Sequence, residues 1–206
     1  MSLSARRRIS TIEHTVSDRI AVAMLGANVK KKSPRPSGNN RSAKTVDDKG
    51  LRQLLEKVLG WGDAHVDFDT AVADVPPALR GVQPLGAPHS AWQLVEHLRL
   101  TQFDILDFCV NPSYEERAWP ADYWPKSPAP PTAGAWNKSI VAYRRDRDEL
   151  GRLALERKLD LTARIPHGSG QTYLRELMLV ADHTAYHVGQ LVLVRQLLGI
   201  WHPKRA

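Results

Sequence analysis

Between Leu177 and Val194 the chain carries a single charged residue, Asp182. A helix this apolar has almost no face to give to water, so it has to lie inside a bundle or a bilayer. Asp182, His183 and His187 interrupt the run, which argues against a membrane span and for a buried helix of a helical fold. On a helical wheel with Leu174 at zero, Leu177, Met178, Ala181, Ala185, Val188 and Val192 cluster as a main core stripe. His183 and His187 fall on the opposite side with Val180 and Val194, a second inward-facing surface. The helix is expected over roughly 172–198, with Gly199 as its C′ residue, and would span about 40 Å.

Three further helices are expected upstream. Leu51, Leu54, Leu55, Val58, Trp61, His65, Phe68 and Val72 follow an i, i+3/i+4 stripe over about 26 residues, with a kink where Gly60 and Gly62 weaken it, and Pro76-Pro77 ends it. Ser90-Ala91-Trp92-Gln93 is a capping-box signature, starting a second helix that runs to Val110 and stops at Asn111-Pro112. A third covers 133–158, with Trp136, Ile140, Tyr143, Leu150, Leu153 and Leu155 on its apolar side. Between the second and third lies a connection over 111–131, rich in proline and holding Trp119, Tyr123 and Trp124. A link this long tends to be functional or to cross the body of the fold, and its aromatics should pack down on the helices. No alternating strand pattern with hairpin chemistry occurs. The expected fold is all-α: a four-helix bundle with one long crossover between helices 2 and 3, which points away from the simplest up-down-up-down order.

The net charge of +7 and the pI of 9.7 suggest a nucleic-acid partner until the charge is located. Residues 1–45 hold ten Lys/Arg against Glu13 and Asp18, a balance of +8, so residues 46–206 carry −1. The body therefore has no basic bias toward a polyanion. The 1–45 segment, with Lys30-Lys31-Lys32-Ser33-Pro34-Arg35, reads as a disordered basic extension. It could be a solvated tail, a nucleic-acid-binding arm, a loose targeting peptide or a translated upstream extension. The domain proper is 46–206. One cysteine, Cys109, excludes a disulfide framework and any CxxC zinc site, and reads as a buried small hydrophobe.

His183 and His187 project from one helix face a turn apart, which suits chelation of one metal ion. Spacing alone is weak, because eight histidines in 206 residues give about 0.3 such pairs by chance. The apolar setting adds weight: a buried imidazole without a partner costs about 1–3 kcal/mol. A cation would satisfy both rings, and backbone carbonyls or water are the alternative. His97, on the second helix among Trp92, Leu94, Leu98, Thr101 and Ile105, is the natural third ligand. No Glu-x-x-His or His-Glu-x-x-His occurs, which excludes those di-iron and zinc motifs. Asp104, two turns from His97 on its face, is a second-shell or general-base candidate, or a salt-bridged surface carboxylate. His65 interrupts the first apolar stripe and is a candidate substrate-pocket residue, or a core histidine with a backbone partner. His89 and His167 stand at helix entrances, where capping or exposure explains them.

Glu96-His97-Leu98, followed by Asp182-His183-Thr184-Ala185-Tyr186-His187-Val188-Gly189-Gln190-Leu191 and the ending Leu198-Gly199-Ile200-Trp201, resembles the DinB/YfiT-like superfamily over approximately 47–201. The His-x-x-x-His-x-Gly-Gln segment is the specific part. The resemblance implies an up-down-down-up bundle, often a homodimer, in which His97, His183 and His187 hold one divalent ion. Three neutral histidines leave coordination positions open, an arrangement of catalytic and not structural type. Zinc, nickel, iron or manganese would fit such a donor set. The family implies a metal-dependent hydrolase, or a transferase working with low-molecular-weight thiols, acting on a small-molecule substrate. The competing expectation is a non-enzymatic protein with a structural or sensor metal, whose basic tail contacts nucleic acid. A cytoplasmic, non-membrane setting is expected.

Overall fold

The computed structural model describes residues 48–202; residues 1–47, with the expected basic extension, and residues 203–206 lie outside them. The described chain forms five α-helices: α1 (Lys49–Val58), α2 (Phe68–Val72), α3 (Ala91–Val110), α4 (Ala135–Leu155) and α5 (Tyr173–Leu197), with a 3-10 turn at Pro77–Leu79. No strand occurs among the described residues, and the fold is an all-α bundle in which α3 packs against both α4 and α5.

The first helix expected from sequence is broken, not kinked. α1 closes with tight turns, Gly60 N–H donating to Lys57 O and Trp61 N–H to Val58 O. Gly60 and Gly62 each cost a helix about 1 kcal/mol against Ala, and two within three residues are enough to interrupt it. Asp67 then starts a new helix, its carboxylate accepting from Thr70 N–H at 2.8 Å. Arg52 fastens α1 in place: its guanidinium donates to the carbonyls of Ala154 and Glu156 at the C-terminal end of α4, at 3.1 and 2.8 Å, and to Leu159 O in the turn that follows, at 2.6 Å.

The later helices start and stop close to where their signals place them. Ser90 accepts from Gln93 N–H while Gln93 Oε1 accepts from Ser90 N–H, the reciprocal capping box, worth about 1 kcal/mol. Thr172 caps α5 by accepting from Arg175 N–H, and Gly199 follows its end at φ +69°, a left-handed conformation that suits glycine.

Two apolar clusters hold the bundle. One gathers Phe68, Trp92, Leu94, Leu98, Trp136, Tyr143, Val188 and Leu191; the other gathers Leu55, Ile105, Leu106, Leu150, Ile165, Leu177 and Val180. Along α3 the first ends at Leu98 and the second begins at Ile105, while along α5 the gap runs from Val180 to Val188. Those gaps hold Thr101, Gln102 and Asp104 on α3 and His183, Thr184 and His187 on α5, so a polar layer divides the core. Gln102 donates to Tyr143 O, and the Tyr143 and Thr184 hydroxyls pair at 3.1 Å.

The crossover packs down on the bundle. Tyr123 is buried, the Ser90 hydroxyl donates to Pro128 O, and a Cβ at Gly81 would collide with Ala129. By length and composition α5 alone among the described helices could cross a bilayer, at a mean hydropathy of 1.2. In the fold its Leu177, Val180, Val188, Leu191 and Val194 are core. The stripe expected to be its main core face is only partly covered: Leu177 and Val188 are buried, but Met178 is 58% exposed. There Leu54 and Trp61 of the broken first rod face Leu174, Met178 and Ala181 of α5 across an open groove of about 490 Å³.

Candidate metal centre

α3 presents His97 and α5 presents His183 and His187 into the polar layer. One ligand atom from each ring lies within 4.8 Å of the others, a group that could hold a metal ion. The ring centroids are 5.0 Å (97–183), 4.6 Å (97–187) and 4.4 Å (183–187) apart.

Every Nδ1 has a partner. His97 Nδ1 lies 2.8 Å from Tyr123 O, and a carbonyl can only accept, so that nitrogen carries the proton. His187 Nδ1 lies 2.7 Å from Gln190 Oε1 and is protonated on the same ground. His183 Nδ1 faces Thr101 Oγ1 at 3.4 Å, and the threonine proton is already directed at the His97 and Leu98 carbonyls. The Nε2 atoms of neutral rings are then lone pairs, and those of His97 and His183 stand 3.1 Å apart. Two acceptors at that distance repel unless a cation lies between them. A proton is poorly suited to the task. Burial, with His187 alongside, drives His97 down to about 3; burial drives His187 to about 4 despite its Gln190 partner, and drives His183 well below the ordinary imidazole value. A divalent ion fits the donor set: neutral imidazoles, fixed tautomers, converging lone pairs.

Aromatic rings brace the centre. Trp124, from the crossover, stacks on His97 at 3.8 Å and 4°, and its other face stacks on His89 at 3.9 Å and 19°. Its position at a helix entrance suggests only capping or exposure for His89. The structure places it against the brace, where burial lowers its imidazole to about 4. No local pattern connects His89 with His97; Trp124 does so through the tertiary fold. Gln190 was visible within the His-x-x-x-His-x-Gly-Gln segment, and its i, i+3 spacing from His187 is the signal that identifies it as an anchor.

Asp104 and His65 do not join the three histidines. Asp104 is buried on α3, but its partners are the hydroxyls of Tyr123 and Tyr114 and, at 3.6 Å, Arg117 Nε. Burial pushes its carboxyl up, an effect only partly offset by the two phenols. His65 lines the α1–α5 groove, whose walls include none of the three histidines, and its Nδ1 donates to Val66 O at 2.8 Å. Cys109 is buried and its thiol is pushed up to about 12, chiefly by burial, which leaves it a core side chain. Tyr186, half-exposed, sets its ring edge-on to His187, and Asp182 is exposed.

No curated protein and no solved structure matches this chain. The family model of the DinB superfamily does match, over residues 62–191, a span that takes in all three histidines and Gln190. The match covers more than half of the sequence, and the chain belongs to the DinB superfamily.

Proposed function

We propose that this protein is a divalent-metal-dependent enzyme of the hydrolase or low-molecular-weight-thiol transferase type, acting on a small-molecule substrate. His97, His183 and His187 would hold one ion of zinc, nickel, iron or manganese. The observation that carries the proposal is the orientation of the rings: each Nδ1 is turned to a partner, the Nε2 lone pairs of His97 and His183 meet at 3.1 Å, and the three rings each bring one nitrogen within 4.8 Å of the others.

The group of potential ligands has three members among the described residues, and Asp104 and His65 are not among them. That supports an open centre over a closed structural one, because three protein ligands leave room for substrate. When bound, such an ion supplies Lewis acidity toward a carbonyl or a thiol. The chain's own part is to fix the tautomers through Tyr123 O, Gln190 Oε1 and Thr101 Oγ1, and to shield the rings from bulk water with Trp124.

Metal content after mild purification tests the first step. The expected result is about one ion per chain for the wild type and none retained by His187→Ala. Equal metal content in the two proteins would overturn the centre. Chelator-sensitive turnover of small ester or thiol-adduct substrates tests the second step. A stoichiometric ion with no turnover in such a panel would favour a metal-binding protein without catalysis.

A further inference from the structure

Asp104 is a carboxylate only 5% exposed in a helical core, a position where an apolar side chain would avoid a desolvation cost. It touches no ring of the metal centre, yet its surroundings lead back to one. Its Oδ2 accepts from the Tyr123 hydroxyl at 2.8 Å, and its Oδ1 from the Tyr114 hydroxyl at 3.2 Å. The backbone carbonyl of that same Tyr123 accepts from His97 Nδ1–H at 2.8 Å, and the next residue, Trp124, covers the His97 face at 3.8 Å. Residues 123–124 thus grip His97 by one edge and one face. They belong to a connection with no helix or strand of its own, which is tied to α3 at Ser90 through Pro128 and at Asp104 through Tyr114, Arg117 and, nearest to His97, the Tyr123 phenol.

Given the metal centre proposed above, the geometry points to Asp104 as a positioning residue: it holds Tyr123, whose carbonyl fixes the tautomer and direction of His97. His97 and Asp104 lie seven residues, about two helical turns, apart on α3, so the loop is clamped across the rigid element that carries the ligand. Partners of this kind raise ligand basicity and restrict ring rotation, and their removal typically weakens metal affinity about 10–100-fold.

The test uses the full chain, with cobalt(II) as the probe. Affinity is read by competition with a chromophoric chelator, ligand geometry by the cobalt visible spectrum, and the melting of the metal-free protein is followed in parallel. Tyr123→Phe removes only the hydroxyl and leaves the ring and carbonyl; it should weaken cobalt binding about tenfold and alter the spectrum. Asp104→Leu should do the same, Asp104→Asn, which keeps an acceptor oxygen, should lose less, and the Tyr123→Phe/Asp104→Leu double variant should be no worse than either single change. Tyr114→Phe, which touches Asp104 but not His97, should bind cobalt as the wild type does. If Tyr123→Phe and Asp104→Asn melt lower but keep wild-type affinity and spectrum, the role is structural and the inference fails. Should Asp104→Leu not fold, Tyr123→Phe decides the matter. A wild-type chain that takes up no cobalt overturns the centre itself, a result distinct from intact binding in the variants.

Discussion

α5 shows two different surfaces to the rest of the molecule. Toward α3 it presents His183 and His187, polar groups enclosed and partnered down to each Nδ1. Toward α1 it presents Leu174, Met178 and Ala181, apolar groups lining an open groove of about 490 Å³. The apolar groove is therefore not where the three histidines are. A ligand pocket needs convergent polar groups, and here the three histidines lie between two apolar clusters.

The contrast can be broken or sharpened by substitution. Leu177 and Met178 are neighbours in sequence and opposites in burial, at 0% and 58% exposed. Leu177→Ala should cost about 2–5 kcal/mol in chemical denaturation, because it opens a cavity in a packed core. An effect below 1 kcal/mol would mean that side of α5 is no better packed than the groove. On the histidine face, Gln190→Leu should weaken metal affinity about tenfold by freeing the His187 ring, with little change in the melting of the metal-free chain.

A smaller effect is expected away from both surfaces, where Asp69 of α2 pairs with Arg144 and Arg147 of α4 at 2.6 and 2.9 Å. Burial pushes the Asp69 carboxyl up, but the hydrogen bonds from Arg147 and Arg144 outweigh that and hold it below its ordinary value. Its folded pKa is thus depressed, so the pair's stabilisation is present above about pH 4 and is lost as pH falls through the folded value. With solvent screening, Asp69→Asn should cost about 0.5–1 kcal/mol at neutral pH and should flatten the acid limb of the stability curve. The smallest effect belongs to Met178→Ser: under about 0.5 kcal/mol, with metal affinity unchanged. Loss of the ion in that variant would show the two surfaces of α5 to be coupled.

Much of this arrangement was legible in the residues. Ser90 and Gln93 mark the start of α3 because capping is local chemistry, and Gly199 marks the end of α5 for the same reason. His97, His183 and His187 could be grouped because a helix with one charge between Leu177 and Val194 leaves few ways to satisfy paired imidazoles. The break after Val58 is masked in the sequence: periodicity continues through Trp61 and His65, but it does not measure what Gly60 and Gly62 cost together. Met178 falls in the expected core stripe of the wheel but is 58% exposed, because a wheel gives direction only and exposure depends on what the neighbouring helix covers. The anchors Tyr123 and Trp124 come from an irregular connection, whose path is set by tertiary packing and not by any repeat.

The clip made by Arg52 links main-chain oxygens at 154, 156 and 159 to a helix more than a hundred positions earlier. Proteolytic nicking within 59–67 would sever the peptide linkage between α1 and α2, yet would leave all three of those hydrogen bonds in place. The leading fragment therefore has a means of staying docked on the remainder that does not depend on covalent continuity.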